Sequence, residues 1–286
     1  MSDIEAAKKA AATAAVANHY PRDAKFVGIG SGTTIVYVVE AIKALGVDTS
    51  ATSFVPTGYQ SNQLIVAAGL TPIAFDALPQ DTVLDIAFDG ADEVDDDLNC
   101  IKGGGACLFQ EKLVATQSKE FICVADWRKN QSRLLTIWPS IPIEVAPLAV
   151  RRVIRELKKL GSPNPLLRES QIEKQHTVKS PVKTDQGFLL IDAPFPGLLL
   201  ASDVAGETAD IPVKKGEGRV WEVETLAKAI KEITGVLEVG LFYGRNGQQA
   251  RAVGEVGGQR PSVAYFGNTD GTVVAKRSAS DLLDRP

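Results

Sequence analysis

The chain has 286 residues, of which 44% are hydrophobic and 23% charged, the balance of a folded globular protein long enough for one large or two modest domains. Its net charge of -4 argues against a general affinity for nucleic acid or for an anionic membrane surface. No stretch approaches the roughly 20 apolar residues that a membrane helix needs, and the start lacks the pattern of a signal peptide.

The first half alternates helix and strand patterns. The predicted elements are a helix over 1–17, a strand over 25–30, a helix over 35–45, a strand over 50–55, a helix ending near 69, a strand over 83–88, a helix over about 107–118 and a strand over 121–125. Strands that alternate with helices pair in parallel, and such sheets bind ligands at the carboxyl ends of their strands.

The pattern changes near 141. Further predictions are a helix over 150–160, a loop over 161–165, a strand over 188–192, an exposed excursion over 194–218, a helix over 222–233, an extended segment over 236–242 and a hairpin with strands over 263–267 and 271–275. The fold class is therefore α/β. A parallel-sheet domain is predicted over 1–142, completed by 241–286, with a second, smaller α/β domain over 143–240.

Cysteine and histidine are scarce. Three cysteines, Cys100, Cys107 and Cys123, lack zinc-type spacing and predict reduced thiols in the cytosol. Cys107 borders a glycine run, but no histidine is near it in sequence, so packing is favoured over a nucleophilic role. Because His19 and His176 are the only histidines, acid–base chemistry is expected from carboxylates or lysines.

The first candidate site segment is Gly28-Ile-Gly-Ser-Gly-Thr-Thr34, between a strand and a helix. Backbone N–H groups at the helix start, with the hydroxyls of Ser31, Thr33 and Thr34, would suit a phosphate. The segment is neither a Walker loop nor a complete G-x-G-x-x-G motif, so nucleotide binding is poorly supported. The alternative is a tight turn whose hydroxyls cap the helix.

The second segment is acidic, Phe88-Asp-Gly-Ala-Asp-Glu-Val-Asp95. Asp89 closes a buried strand, and Asp92 follows a glycine, so the two carboxylates could converge on one hydroxylated ligand. The following residues, Asp95–Asp97, are predicted to form a solvated turn. A divalent-metal site lacks the order of a calcium loop, and capping of the next element is the other alternative.

The third segment runs from Lys102 through three consecutive glycines, 103–105, to Glu111. Each glycine destabilises regular structure by roughly 1 kcal/mol relative to alanine, which is easier to explain if bare backbone lines a ligand. Leu108 and Ala115 lie three before and four after Glu111, so the carboxylate is expected on their inward helix face as a candidate general base. The alternative is a surface glutamate.

Three segments together resemble the ribose-5-phosphate isomerase A family in its eukaryotic, especially fungal, form: GIGSGTT at 28–34, AFDGADEVD at 87–95 and IKGGGACLFQEKLVAT at 101–116. Further matching segments follow the family's order: PTGYQSNQLI at 56–65, FICVADWRK at 121–129, IPIEVAPLA at 141–149, GVLEVGLF at 235–242 and YFGNTDG at 265–271. The resemblance implies a Rossmann-like catalytic domain with a smaller α/β lid domain, no metal, no organic cofactor, and a homodimer or homotetramer.

The resemblance also implies residue roles. Glu111 would be the catalytic base, and Asp89 with Asp92 would hold sugar hydroxyls and assist ring opening. Lys102, also catalytic, would contact substrate, and Lys8 would approach the phosphate. The remaining implied substrate contacts are Ser31, Gly32, Thr33, Thr34, Gly90, Ala91, Gly103, Gly104 and Gly105.

The chain departs from the family in three places, one of which is the lid segment 178–188, where VKSPVKTDQGF replaces a run like KAGPVVTDNxNF. Members place a basic residue just before the PIEV-type strand, whereas Trp138–Ile141 contains no cation. Either Lys8, Lys102 or Arg133 compensates, or the affinity for phosphate is reduced. The segment 194–219 reads as an insertion.

The resemblance implies a cytoplasmic enzyme that interconverts ribose 5-phosphate and ribulose 5-phosphate through an enediolate. The alternative is a non-catalytic sugar-phosphate sensor on the same fold, which would not need Glu111. An amino-sugar phosphate isomerase or a lactonase would be expected to use a histidine, and none lies in these segments.

Overall fold

The computed structural model describes residues 2–170, 180–204, 213–215 and 218–278. These residues form two units. The first unit comprises Met1–Cys100, Gln110–Ser132 and the segment from Phe242 onward, and the second comprises Ile101–Phe109 and Arg133–Leu241. The division predicted from the sequence, with boundaries at 142 and 240, stays a proposal. The observed units differ from it in assigning 101–109, 133–142 and 241 to the second unit.

The described residues form helices and strands with the following bounds. The helices are α1 (Asp3–His19), α2 (Ile35–Ala44), α3 (Tyr59–Ala67), α4 (Leu108–Thr116), α5 (Val150–Lys159), α6 (Val223–Lys231) and α7 (Gly247–Ala252). The strands are β1 (Phe26–Ile29), β2 (Ser53–Pro56), β3 (Thr71–Pro72), β4 (Ile86–Asp89), β5 (Glu93–Val94), β6 (Cys100–Ile101), β7 (Phe121–Asp126), β8 (Ile141–Val145), β9 (Leu166–Leu167), β10 (Leu189–Ala193), β11 (Val213–Lys215), β12 (Gly218–Val220), β13 (Val236–Val239), β14 (Leu241–Phe242), β15 (Val263–Gly267) and β16 (Val273–Lys276).

The first unit is built on a seven-stranded sheet of order β16-β15-β7-β4-β1-β2-β3. Its neighbouring strands are parallel except for the hairpin of β15 and β16, which is antiparallel as the sequence predicts. The chain starts in the middle at β1, builds outward to β3, and returns to the other side of β1 with β4. Ligands of open α/β sheets bind at such a reversal, outside the carboxyl ends of the two central strands. The predicted α/β class with a Rossmann-like parallel sheet is confirmed.

The alanine-rich start of the chain packs against this sheet. Helix α1 lies against β15, β7 and α2, and its face of Ala7, Ala11 and Ala15 is fully buried. Small side chains let the helix backbone approach the sheet so closely that a Cβ at Gly267 would overlap the carbonyl of Ala7. The alanines therefore act as a packing surface.

The second unit contains a four-stranded sheet of order β13-β8-β10-β9, in which each described pairing is antiparallel. All five residues of β8 are buried, because the strand lies between two neighbours. The predicted exposed excursion is wrong at its start: Phe195 and Leu198–Leu200 are buried. Hydrogen bonds from Leu198 N to Leu134 O (3.0 Å) and from Leu199 N to Trp221 O (2.8 Å) hold this stretch against the unit. Part of the excursion, 205–212 and 216–217, lies outside the described residues.

Within the described ranges, no helix combines the length and the apolar run that crossing a bilayer requires.

Candidate active site

The glycine turn after β1 is fastened to the end of β4. Gly30 N donates to Phe88 O at 2.8 Å, and Ser31 N and Gly90 N both donate to Asp89 Oδ1, at 3.2 and 2.7 Å. A Cβ on Gly30 would overlap the Asp89 carboxylate. Glycine is therefore required at position 30, and Asp89 fixes the turn at the reversal of the sheet.

Glu111 reaches the same turn from α4. The Ser31 hydroxyl donates to Glu111 Oε1 at 2.7 Å. Glu111 is only 5% exposed and lies between the buried Leu108 and Ala115, so the predicted inward helix face is confirmed. The contact brings Ser31, Asp89 and Glu111 into one hydrogen-bonded group.

The hydroxyls of the turn do not cap the following helix in the way the alternative interpretation requires. Thr34 occupies the N-cap position of α2 but makes no side-chain capping hydrogen bond. Ser31 is directed to Glu111, and Thr33 Oγ1 accepts a hydrogen bond from Lys8 Nζ at 2.8 Å. The hydroxyls of Ser31 and Thr33 thus serve groups from distant parts of the chain.

Lys8 is held beside the turn by a chain of hydrogen bonds that the sequence did not reveal. Its ammonium also donates to Glu5 Oε1 at 2.7 Å, and Tyr37 donates to Glu5 Oε2 at 2.6 Å. The Lys8 ammonium and then the Tyr37 hydroxyl lower the pKa of Glu5, while the Glu5 carboxylate raises the pKa of Tyr37 to about 12. An ammonium has three N–H donors. Within the described part of the chain, two of them are engaged, by Glu5 and Thr33.

Two glutamines complete the framework of the turn. Gln60 Oε1 accepts from Gly32 N at 2.8 Å, and Gln110 Nε2 donates to Pro56 O at 2.9 Å. Gly32 has φ +96°, a conformation that favours glycine. Gln60 lies in segment 56–65, which resembles the family. Within the sequence, that location was the one feature that could have pointed to Gln60 as a residue of the site.

The acidic segment divides into two parts. Gly90, Ala91 and Asp92 are partly exposed at the end of β4. Asp95 is fully buried, and it accepts from the N–H groups of Asp97 and Asn99 and from the Asn99 side chain. Burial raises the pKa of Asp95 to about 7. The predicted solvated turn is therefore wrong for Asp95, which organises its own loop. Within the part of the chain that the structure describes, no group of three or more His, Cys, Asp or Glu residues is arranged to hold a metal ion.

The triple-glycine loop belongs to the second unit. Lys102 is buried, and its backbone N–H donates to Gly240 O at 2.9 Å. Gly103 has φ +112°, and a Cβ there would lie 2.7 Å from Leu108 Cδ2 and 2.9 Å from Pro142 Cβ. Gly104 and Gly105 are exposed. The loop therefore combines one glycine that packing requires with two that present bare backbone, and it leads directly into α4.

Comparison with known proteins gives consistent matches. The family described as Ribose 5-phosphate isomerase A (phosphoriboisomerase A) matches residues 53–255. A ribose-5-phosphate isomerase of Mycosarcoma maydis is 44% identical over 286 residues, covering 99% of this chain and 85% of that protein. A ribose-5-phosphate isomerase of Schizosaccharomyces pombe is 41% identical over 283 residues, covering 98% of this chain and 86% of that protein.

Solved structures agree. The ribose 5-phosphate isomerase A of Methanocaldococcus jannaschii superimposes with a TM-score of 0.70 at 27% identity, covering 95% of this chain and 98% of that chain. A D-ribose-5-phosphate isomerase in complex with phospho-erythronic acid superimposes with a TM-score of 0.71 at 28% identity, covering 96% of this chain and 99% of that chain.

Proposed function

Because this chain belongs to the ribose 5-phosphate isomerase A family, we propose that Glu111 is the acid–base group with which it interconverts ribose 5-phosphate and ribulose 5-phosphate. The chain is an aldose–ketose isomerase, an enzyme of the pentose phosphate pathway. The observation that carries the role of Glu111 is its hydrogen bond from Ser31 at the glycine turn, on a carboxylate that is 5% exposed.

The reaction moves one proton between adjacent carbons of the open-chain sugar. Glu111 removes the proton from C2, an enediolate forms, and the protonated carboxyl returns the proton to C1. The hydrogen bond from the Ser31 hydroxyl holds the Glu111 carboxylate at the glycine turn, where the proton transfer takes place. General acid–base catalysis of this kind typically contributes 10²- to 10⁴-fold in rate.

The enediolate oxygen needs fixed dipoles or positive charge. Following the family resemblance, Lys102 and the N–H groups of Gly103–Gly105 supply them, and the exposed backbone of Gly104 and Gly105 supports this assignment. Asp92 holds sugar hydroxyls. Asp89, whose Oδ1 accepts the N–H groups of Ser31 and Gly90, assists ring opening.

The substrate phosphate binds at the glycine turn. Lys8 offers an ammonium donor beside Thr33, and the start of the ten-residue helix α2 offers backbone N–H groups. Lys8 thereby compensates for the cation that Trp138–Ile141 does not provide.

The alternative of a non-catalytic sugar-phosphate sensor is not favoured by any of these observations. A sensor could bind through the glycine turn alone. It would have no use for a carboxylate buried beside that turn, and a buried charge without a role is costly.

One assay tests the proposal. Purified protein is incubated with ribose 5-phosphate in excess chelator, and formation of ketopentose is followed. We expect turnover at the same rate with and without chelator. Absence of ketopentose in both conditions would contradict the function, and a loss that divalent ion restores would show a metal requirement instead.

We also propose that the enzyme is cytoplasmic and assembles as a homodimer or homotetramer. The free thiols Cys100 and Cys123 are fully buried, as expected for a chain that folds in a reducing compartment. Size-exclusion chromatography with light scattering measures the assembly, and a monomeric mass at micromolar concentration would contradict it.

A further inference from the structure

An arginine–aspartate pair in the second unit holds the triple-glycine loop from one side. Arg168 follows β9, and Asp192 lies on the neighbouring strand β10. The guanidinium donates to Asp192 through Nε to Oδ2 at 2.8 Å and through Nη2 to Oδ1 at 2.5 Å. Its remaining nitrogen, Nη1, donates to the carbonyls of Gly103 at 2.9 Å and Gly104 at 3.2 Å. One planar group therefore joins a strand to two consecutive peptides of the loop.

These two hydrogen bonds determine which way the loop's N–H groups point. In a trans peptide, the C=O and the N–H of one peptide unit point in opposite directions. The carbonyl of Gly103 shares its peptide with the N–H of Gly104, and the carbonyl of Gly104 shares its peptide with the N–H of Gly105. Because Arg168 draws both carbonyls to itself, it turns both N–H groups to the opposite side of the loop.

The loop would not keep this orientation by its own sequence. Glycine has the widest backbone freedom of any residue, so a peptide between two glycines can flip at little steric cost. Inside the loop, Ala106 N donates to Gly103 O at 3.1 Å, which fixes the Gly103 peptide in part. The Gly104 carbonyl accepts from Arg168 Nη1 at 3.2 Å.

We propose that Arg168, oriented by Asp192, is a positioning residue of the isomerase: it presets the N–H groups of Gly104 and Gly105 as a pair of donors for the enediolate oxygen. The inference rests on the proposed function. It adds that the donors are preorganised by Arg168, whose guanidinium is engaged by Asp192 and by the two loop carbonyls. Preorganised donors aimed at developing charge act mainly on the transition state, so their loss lowers kcat more than it raises KM.

Lysine cannot replace arginine in this arrangement. The guanidinium is rigid and forked, and it engages a carboxylate bidentately while a further N–H remains for another acceptor. An ammonium is compact and lacks the planar fork. It cannot hold both oxygens of Asp192 and donate to the two loop carbonyls in the same geometry. Arg168→Lys is therefore expected to resemble Arg168→Ala in kcat, although it keeps the charge.

The test compares kcat and KM for ribose 5-phosphate in the wild type, Arg168→Ala and Arg168→Lys, with thermal melting of each. Loss of one oxyanion donor typically costs about 10²- to 10³-fold in kcat. For two misoriented donors we expect at least a tenfold loss in kcat with KM changed less than about threefold. Added guanidinium ion is expected to restore part of the kcat of Arg168→Ala and none of that of Arg168→Lys, whose side chain fills the space.

Arg245→Ala is the matched control, because Arg245 pairs with both oxygens of Glu255 and contacts no loop glycine in the described structure. Its kcat should be unchanged and insensitive to guanidinium. A folded Arg168→Ala with wild-type kcat, or with KM and kcat changed alike and no guanidinium rescue, would overturn the inference. If Arg168→Ala does not fold, Asp192→Asn takes its place with the same split between kcat and KM. A wild-type chain without isomerase activity would refute the proposed function instead, so the two failures are distinguishable.

Discussion

Side chains that meet across long stretches of sequence decide the chemistry of this site. The position of Glu111 was predictable, because its spacing from Leu108 and Ala115 places it on the inward face of a helix. Its partner Ser31 was predictable as a pocket residue, but their contact joins positions 80 residues apart. The Tyr37–Glu5–Lys8 chain was not predictable, since it requires the packing of α1 against α2.

Replacing Glu111 by Gln tests the base directly. The amide keeps the shape and can still accept from Ser31, so the protein should fold normally, but it cannot take a proton. We expect kcat to fall at least about a hundredfold. The exposed Glu255→Gln is the control and should keep full activity. A folded Glu111→Gln enzyme with near wild-type turnover would remove Glu111 from its role.

Lys8 and its neighbour Lys9 form a matched pair for testing phosphate binding. Lys8 Nζ contacts Thr33, whereas the exposed Lys9 pairs with Glu40 at 3.7 Å in the described structure. A charged hydrogen bond is worth about 1.5–3 kcal/mol, so Lys8→Met should raise KM for ribose 5-phosphate by about tenfold or more. Steady-state kinetics of Lys9→Met should match the wild type. Equal KM values for the two variants would place the phosphate elsewhere.

At the scale of elements, periodicity located most helices and strands but not their ends or partners. The strand predicted over 83–88 begins only at Ile86, because the preceding Asp85 side chain accepts from Lys25 N and Phe26 N instead of pointing to solvent. Helix α7 was missed. Its six residues carry no apolar period, and it is held by the capping box of Asn246 with Gln249.

Two glycines of the turn resist substitution for different reasons, Gly30 because a side chain would not fit and Gly32 because its backbone conformation is unfavourable for other residues. A Cβ at Gly30 would overlap Asp89, whereas at Gly32 a Cβ meets no atom within 4 Å and only φ +96° is unfavourable. Gly32→Ala should therefore lower the free energy of unfolding by about 1–3 kcal/mol. Gly30→Ala should cost more, ~3 kcal/mol or above, since the strand end must move. Denaturant unfolding of both variants gives the comparison; equal losses would mean that Asp89 relaxes freely.

At the scale of the whole molecule, the α/β class followed from alternating patterns, but the order of the strands did not. The sequence also did not predict the antiparallel sheet of the second unit or the burial of Leu198–Leu200, because both depend on neighbours distant in sequence. Strand β8 of the second unit carries an acidic residue in its buried centre. Its residue Glu144 is fully buried, and neither carboxylate oxygen has a partner with regular hydrogen-bond geometry among the described residues.

Glu144 predicts how stability depends on pH. Burial raises its pKa above the ordinary value of 4.5; the nearby Thr184 hydroxyl and Phe109 N–H offset this only in part, and the Glu238 and Asp185 carboxylates add to it. Between 4.5 and the raised pKa the folded state binds more protons than the unfolded state, so this contribution to stability falls as pH rises through that window.

Glu144→Gln should therefore raise the melting temperature at neutral pH and flatten its decline from pH 4.5 upward. Glu156→Gln is the control in the same unit, because Lys159 lowers the pKa of that partly exposed carboxyl and its contribution to stability has the opposite sign. The measurement is the melting temperature of the wild type and of both variants as a function of pH. A Glu144→Gln protein that melts lower than the wild type at neutral pH would show that the ionised carboxylate stabilises the fold.

The packing of α1 on β15 has a consequence for biosynthesis. Asn18 and His19 at the end of α1 hydrogen-bond the Tyr265 hydroxyl, and His19 and Tyr265 are 246 positions apart in sequence. When the ribosome has made the first helix, the strand that covers its alanine face has not yet been translated. Closing so long a loop delays folding. The nascent chain must therefore carry an uncovered apolar helix until late in synthesis, a period in which chaperones have the opportunity to bind it.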